Sequence, residues 1–378
     1  MKSLNRQYLR RIDYLRAIAA WWVLAYHAVI ILPTLGAEHT MWAGSWNPFL
    51  VVASQGWLAV SLFVMVSGFS IALGLKGNRI VWRGFFAARW LRIAPLYLLM
   101  LFIGLLSIPQ DASQLLAIFA AITLLPLPGS IVPSAALGTA WSVRIEFLLY
   151  FFVPALVYVL SRYSRRLLVI GAPLFAAFLV FALWQQGVSI IDILYWNFPG
   201  RLVEFAAGFA AGYFGFSAFS RGRRAVMLWL SIAGLGVVAF ITNRAGGIFD
   251  VSDGLRVLVF VAVIGFGLLL LAWASSPEPG WDNGGMTLLS RLGTWSYSTY
   301  LWHTLVIFTV AVPLSRLLID AGVDARLSAA AGFVALVAGT GAVSYLSYTF
   351  IERPFLTQRP RYVFPLEDAP GSVAETKK

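Results

Sequence analysis

The stretch YLRAIAAWWVLAYHA, residues 14–28, has the apolar character of a membrane-spanning helix, yet it contains Arg16 and His27. Residues eleven apart in an α-helix differ by only about 20° around the axis and by about 16 Å along it, so these two side chains lie on one face. Asp13 lies three residues before Arg16, close to the same face. Ionisable groups are costly in hydrocarbon and usually face a bundle interior or a water-filled cavity. The stripe therefore predicts the wall of a channel or cavity.

The composition places the chain in a membrane. Of its 378 residues, 60% are hydrophobic and only 12% are charged, and the mean hydropathy is +0.81. Apolar runs recur from end to end, which leaves no room for a large soluble domain. The absence of cysteine excludes disulfides, thiolate metal sites and a cysteine nucleophile.

Apolar windows separated by polar turns predict an all-α, polytopic bundle of about ten transmembrane helices. The predicted spans are residues 14–35, 49–75, 93–108, 140–160, 167–184, 198–219, 226–241, 257–274, 292–312 and 329–351. The run 115–127 is apolar, but it is short and ends in Pro126 and Pro128, so we expect it to be re-entrant or interfacial.

Positive charge sets the expected orientation. Basic segments such as MKSLNRQYLRR, SRYSRR and SRGRR alternate with segments that hold no Lys or Arg, such as GAEHTMWAGSWN and QQGVSIIDILYWN. The positive-inside rule then places both termini in the cytoplasm. The net charge is +12, but the Lys and Arg residues cluster in short segments that flank the apolar spans. The positive charge is therefore explained by membrane topology, and we expect no nucleic-acid partner. We expect residues 1–356 to form one membrane domain and residues 357–378 a polar cytoplasmic tail, disordered beyond about Pro365.

Other spans carry polar groups at the depth of His27. Glu146, in TAWSVRIEFLLYFFVP, lies about 9 Å below the outer face, and His303, in SYSTYLWHTLVI, lies near mid-membrane. Structural roles compete with functional ones. A buried Glu146–Arg201 or Arg144–Glu204 pair would account for those charges, and His303 by itself is more simply a histidine that packs between helices.

Four arginines precede the third span in RIVWRGFFAARWLRIAPLY. Juxtamembrane arginines commonly do no more than anchor topology. Guanidinium groups also bind phosphate oxygens bidentately, and the two roles do not exclude each other. Arg89 and Arg92, nearest the apolar run, are the candidates for phosphate binding.

Six blocks of the sequence resemble the membrane acyltransferase-3 family, the polytopic O-acyltransferases of bacterial surface polysaccharides and related substrates. The blocks are RIDYLRAIAAWWVLAYHA, GWLAVSLFVMVSGFSIAL, FAARWLRIAPLY, TAWSVRIEFLLYFFVP, SYSTYLWHTLVI and IERPF. They occur in the order of the family and cover nearly the whole chain. The resemblance implies a multi-pass protein of the bacterial inner membrane that moves an acyl group from cytoplasmic acyl-CoA, with acetyl-CoA as the expected donor, to a hydroxyl of a periplasmic or lipid-linked saccharide.

The resemblance also implies site residues. Family roles fall on Arg16 and His27, on Ser67 and Gly68, on Arg89 and Arg92, and on Glu146. The expected catalytic residues are His27, Glu146, Arg16 and Asp13, and the expected donor-binding residues are Arg16, Arg89, Arg92 and Ser67. The expected acceptor-binding residues are Trp141, Ser142, Arg144, Tyr297 and His303. We expect no metal, and the expected partners are acyl-CoA, a saccharide or glycolipid acceptor, and membrane lipid.

The chemistry of the residues agrees with an acyl transfer. Imidazole titrates close enough to neutral pH to remove a hydroxyl proton, so His27 is the candidate base, acting on the acceptor directly or carrying the acyl group itself. Glu146 is expected to orient its imidazole. A transporter or flippase is the rival class, since intramembrane charges also mark substrate pathways, and a non-catalytic assembly partner is a third.

Overall fold

The computed structural model describes residues 9–32, 45–106, 138–163, 178, 181–214, 219–247, 253–256, 258–276 and 284–365. The described part is almost entirely helical, in agreement with the predicted helical membrane bundle. Six helices are long and apolar enough to cross a membrane, or seven if one bent pair counts as a single span. The predicted count of about ten is thus not reached by the described residues. The predicted segment 115–127 and most of the predicted span 167–184 lie outside them.

The first half of the bundle is built around a helix that is buried on most sides. The elements are α1 (Arg10–Ile31), α2 (Pro48–Ala53), α3 (Leu58–Leu75), β1 (Asn78–Ile80), α4 (Trp82–Leu106), α5 (Ala140–Phe151) and α6 (Val153–Arg162). Fifteen of the eighteen residues of α3 are buried. Since α3 packs on α1 and on a helix from the second half, its side chains fill the centre of the molecule.

The second half closes the bundle around α3. Its elements are α7 (Phe198–Phe214), α8 (Arg221–Arg244), α9 (Asp253–Arg256), α10 (Leu258–Ala274), α11 (Gly284–Thr294), α12 (Ser296–Val306), α13 (Val312–Asp320), α14 (Ala325–Ser347), α15 (Arg353–Thr357) and β2 (Val363–Pro365). A π-helical turn, Ile307–Ala311, joins α12 to α13, and another, Tyr348–Glu352, joins α14 to α15. Two long spans result, Ser296–Asp320 and Ala325–Thr357.

Glycines bring α3 and α7 into backbone contact. A Cβ added at Gly208 would overlap the backbone of Met65, and one added at Gly212 would overlap the carbonyl of Phe69. From the other side, a Cβ at Gly68 would overlap the carbonyl of Phe205. Lipid tails are as apolar as the side chains, so the hydrophobic effect does not drive helices together in a bilayer. Close van der Waals packing between the helices stabilises their contact instead. The pair Gly208 and Gly212 therefore sets the helix contact on which the centre of the bundle is built.

Several predicted span boundaries differ from the helices. The third span was predicted to begin at residue 93, but α4 begins at Trp82 and continues through Pro95, so Arg83, Arg89 and Arg92 lie on the helix itself. The predicted span 140–160 is two helices bent by 46°. Pro154, in the first turn of α6, accounts for the bend because it has no N–H to continue the ladder of α5.

The beginning of the tail packs against the start of α4. Strand β2 pairs with β1 in an antiparallel ribbon in which Ile80 is opposite Val363, and the Val81 N–H donates to the Tyr362 carbonyl over 2.9 Å. We call residues 359–365 the C-terminal strap. Tyr362 is buried in it at 3% exposure, so the first part of the predicted polar tail is part of the folded bundle.

Candidate active site

A cavity opens between α1, α3, α4, α5 and α12. Its charged lining residues are Arg16, Arg89, Arg92 and Glu146. Its hydroxyl-bearing lining residues include Ser67, Ser70, Ser142, Tyr150, Tyr297 and Tyr300. The structure therefore gathers every residue expected to bind the donor, together with Glu146, around one cavity, although they come from four different helices.

Arg16 reaches the cavity from α1. One terminal nitrogen lies 3.3 Å from the Asp13 carboxylate, and the other donates to Ser70 Oγ at 3.3 Å. The Arg16 side chain is 13% exposed. Asp13 is therefore one turn away on the same helix, as expected, and it acts on the cavity through Arg16, since it is not itself a lining residue.

Glu146 is held by two hydroxyl groups. Its Oε1 accepts from Ser67 Oγ at 2.6 Å and from Tyr150 Oη at 2.7 Å. The carboxylate also lies within electrostatic reach of Arg16 and Arg89. Two hydrogen bonds hold the carboxyl group in position, so Glu146 presents an acidic group beside the arginines of the cavity.

Arg89 is fixed by aromatic side chains. Its Nη2 donates to the Tyr362 hydroxyl at 2.8 Å, and its guanidinium lies 5.4–5.8 Å from the ring centroids of Phe85, Tyr150 and Tyr362. Its Nε is buried without a hydrogen-bond partner within the described residues. The cation is thus ordered while retaining an unused donor. Tyr362 was missed by the sequence reasoning because only the pairing of two distant strands brings it here.

The two histidines of the bundle meet. His303 Nε2 lies 3.1 Å from His27 Nδ1, and the two ring centroids are 5.0 Å apart. His303 Nδ1 contacts the carbonyl oxygens of Tyr300 and Thr299 at 2.7 and 3.2 Å. His27 Nδ1 also contacts the Val23 carbonyl at 3.0 Å. His303 is fully buried, which makes it a fixed partner for the His27 ring.

The contacts assign the tautomers of a neutral pair. A carbonyl oxygen only accepts, so His303 carries its hydrogen on Nδ1 and presents the Nε2 lone pair to His27. His27 then carries hydrogen on Nδ1, shared between Val23 O and His303 Nε2. The Nε2 atom of His27 is left with a lone pair. The sequence reasoning expected Glu146 to orient this imidazole, but the ring that contacts His27 is His303.

Tyr300 connects the histidine pair to the cavity. Its carbonyl binds His303 Nδ1, whereas its hydroxyl lies 2.8 Å from Ser142 Oγ and 3.2 Å from the Thr139 carbonyl. Tyr300 and Ser142 both line the cavity; His27 and His303 do not. The histidines therefore lie one residue behind the part of the cavity wall that Tyr300 forms. Residues 16 and 27 are about 16 Å apart along α1, so the histidine pair is well separated from Arg16.

Among the expected acceptor-binding residues, only Ser142 and Tyr297 line the cavity. Trp141 and Arg144 are buried at 8% and 4% exposure in the wall of α5, and the Trp141 ring packs at a tilt against Tyr195 and Trp196, with 5.6 and 4.8 Å between ring centroids. The Tyr297 hydroxyl donates to the Ile93 carbonyl at 2.9 Å.

The alternative in which Arg201 pairs with Glu146 is not the pairing that the structure shows. Arg201 bonds Glu204, one turn along α7, with 2.6 Å between Nη1 and Oε2. Ser61 Oγ donates to Glu204 Oε1 at 2.7 Å and accepts from Arg201 at 3.1 Å. Residues three apart on a helix face the same way, so this local pair satisfies both charges and joins α7 to α3. Glu146 does not pair with Arg201 and lines the cavity instead.

A sequence model of the acyltransferase-3 family, described as an acyltransferase domain, matches residues 9–349. The chain belongs to the acyltransferase-3 family. This match confirms the resemblance seen in the six sequence blocks, and it identifies the protein as a membrane acyltransferase. No curated protein and no solved structure gives a significant match to this acyltransferase.

Proposed function

We propose that this acyltransferase moves an acyl group, with acetyl as the expected one, from cytoplasmic acyl-CoA to a hydroxyl of a periplasmic or lipid-linked saccharide, in the bacterial inner membrane. The observation that carries the proposal is one cavity with arginines at one end and a paired histidine behind its other wall. Anion binding and proton transfer are the two tasks that such a reaction needs, and they are separated here along α1.

The donor end of the cavity suits a nucleotide phosphate. Arg16, Arg89 and Arg92 line it together, whereas Glu146 is the acidic residue of the lining. The excess of positive charge between low-dielectric walls attracts an anion, and planar guanidinium groups suit phosphate oxygens. The pantetheine arm of the donor would then extend from these arginines past Ser67 and Ser142 toward the histidines.

The histidine pair suits general base catalysis. His27 Nε2 would take the proton of the acceptor hydroxyl as its oxygen attacks the thioester carbon. The carbon–sulfur bond breaks, and the same nitrogen returns the proton to the departing thiolate, so that the products are an ester and free CoA thiol. His303 Nε2 accepts from the Nδ1–H of His27 throughout, which stabilises the imidazolium formed between the two steps.

Substitution of His27 tests this function. Purified His27→Ala protein in detergent should bind CoA as the wild type does, because the arginines are untouched. Its transfer of acetyl from acetyl-CoA to a saccharide acceptor should fall by about two to four orders of magnitude, the usual effect of removing a positioned acid or base. Radiolabelled acetyl measures transfer, and calorimetry measures CoA binding.

The control is His39→Ala, which removes the third histidine of the chain, and which should leave the rate unchanged. Full transfer by His27→Ala would refute the base assignment. A wild type that binds no CoA and yet moves a lipid-linked sugar across vesicles would replace the acyl-CoA reaction by a transport function.

A further inference from the structure

The C-terminal strap contacts Arg89, one of the arginines that line the cavity. Its pairing with β1 and the bond from Val81 to Tyr362 hold it on the first turns of α4. The Tyr362 ring packs edge to face on Phe85, with 5.5 Å between centroids, and its hydroxyl accepts from Arg89. Gly84 permits this approach, because a Cβ there would lie 3.0 Å from Tyr362 Cβ. The strap is therefore fixed where the donor-binding arginines begin.

The strap adds a cation of its own. Arg359 is held by a bond of 3.0 Å from its Nε to the Leu356 carbonyl, and neither it nor Arg92 forms an ion pair in the part of the chain that the structure describes. Burial, followed by the charges of Arg92 and Arg89, lowers the pKa of Arg359 to about 10. Arg359 thus lies close enough to both arginines to be repelled by them, and it remains charged at neutral pH.

The acidic groups near these three arginines are already engaged. Glu146 faces Arg89 but accepts from Ser67 and Tyr150. Glu352 faces Arg92 and accepts from Ser298. Three guanidinium groups therefore meet two carboxylates, and the excess charge favours a further anion. A phosphate monoester carries close to two negative charges at neutral pH, so it pairs with three guanidinium groups better than a singly charged phosphodiester does.

We propose that Arg359 completes, with Arg89 and Arg92, a binding site for a phosphate monoester, the 3′-phosphate at the nucleotide end of the donor. This inference rests on the proposed acyl-CoA function. The strap contacts Arg89, whereas the histidine pair lies behind Tyr300, and the 3′-phosphate is at the end of CoA farthest from the thioester. The strap accordingly belongs to the donor site, and Arg359 contributes specificity for CoA over dephospho-CoA.

Calorimetry with two donors tests the site. The purified full-length protein in detergent is titrated with CoA and with dephospho-CoA, which lacks only the 3′-phosphate. The wild type should bind CoA at least about tenfold more tightly, since a charge-assisted contact is worth that factor or more. Arg359→Gln should bind CoA about as weakly as dephospho-CoA, and its affinity for dephospho-CoA should be unchanged. Arg359→Lys, which keeps the charge, should recover part of the preference.

Arg361→Gln is the matched control. Arg361 lies two residues along the strap, where it is exposed and stacks on Phe364 at 5.0 Å, so its loss should not alter either affinity. Melting temperatures within a few degrees of the wild type would show that the strap is still folded in each variant.

Every other result of the titrations would contradict the inference. Equal weakening of both ligands by Arg359→Gln would overturn the inference, because the strap would then support the site without binding the 3′-phosphate. Equal binding of CoA and dephospho-CoA by the wild type would also overturn it while leaving the proposed function intact. A wild type that binds neither contradicts both. Stabilisation of such a protein by phosphatidic acid, lost in Arg359→Gln, would assign the site to a lipid phosphate instead.

Discussion

At the scale of single residues, the meeting of two histidines determines which nitrogen is available for chemistry. Carbonyl oxygens take the Nδ1 hydrogen of His303, so its Nε2 accepts from His27. That contact and the bond to Val23 use the Nδ1 atom of His27 completely. The remaining lone pair of His27 is on Nε2, and the ring cannot rotate without losing two contacts. His303 is therefore a positioning residue for His27.

We predict that His303→Ala lowers kcat about 10- to 100-fold and leaves CoA binding and KM for the donor almost unchanged, because only the orientation of the base is lost. His303→Gln should recover part of the rate, since its amide oxygen can take the place of Nε2 and accept from the Nδ1–H of His27. Steady-state kinetics with acetyl-CoA separate kcat from KM.

A merely structural role for His303 would give another pattern. The alanine and glutamine variants would then lose rate in proportion to their loss of melting temperature, and the residual folded fraction would have the wild-type kcat. Such a result would contradict the positioning role.

Many residues of the site could be predicted from the local sequence, but the contacts between their side chains could not. The spacing of Arg16 and His27 follows from helix geometry alone, and both face the interior as expected. The partner of His27, however, is 276 residues away, and nothing local indicates which of the buried polar groups will meet it. The alternative pairing of Arg201 with the distant Glu146 failed for the opposite reason, since the partner of Arg201 is the nearby Glu204.

At the scale of elements, glycine spacing determines how closely helices approach. The sequence reasoning used apolar runs to predict helices, and it overlooked the spacing of Gly208 and Gly212, which predicts a close helix contact in a membrane. The third span was likewise predicted to begin only after Arg92, although α4 carries three arginines along its first three turns. Apolar length indicates that a helix exists, but tertiary contacts of arginine stems determine where it starts.

We predict that Gly208→Ala destabilises the protein by about 1–3 kcal/mol, the usual cost of overpacking, because the new methyl group would overlap the Met65 backbone. The matched control is Gly236→Ala on α8, where an added Cβ meets nothing within 4 Å. That variant should be neutral or slightly more stable, as alanine favours helix over glycine. Tryptophan fluorescence during thermal unfolding in detergent measures both, and equal melting temperatures for the two variants would refute the packing argument.

At the scale of the whole molecule, contacts between distant segments gather the basic regions at one end of the bundle. Arg10 and Arg11, at the start of α1, bond Thr287 and the Trp273 carbonyl. Arg224, at the start of α8, bonds the Ser275 carbonyl. Arg16 reaches Ser70, near the end of α3 where β1 and the strap follow. The first turns of α1 and α8, the arginines of α4 and the strap therefore lie on the same side of the described bundle.

This arrangement sharpens the predicted orientation, in which that side is the cytoplasm. The chain contains no cysteine, so single cysteines can be introduced without background. We predict that Gly222→Cys, in the basic SRGRR segment, is labelled by a membrane-impermeant maleimide only after the cells are opened.

Gly129→Cys, in the arginine-free LPGSIVPSAALG segment, should be labelled in spheroplasts directly, because residues 115–127 are predicted not to cross the membrane. Labelling of Gly129→Cys only from the cytoplasmic side would mean that residues 115–127 form a full span, which would invert every later segment relative to the basic ones. The shared end seen in the structure would then no longer fit the positive-inside rule.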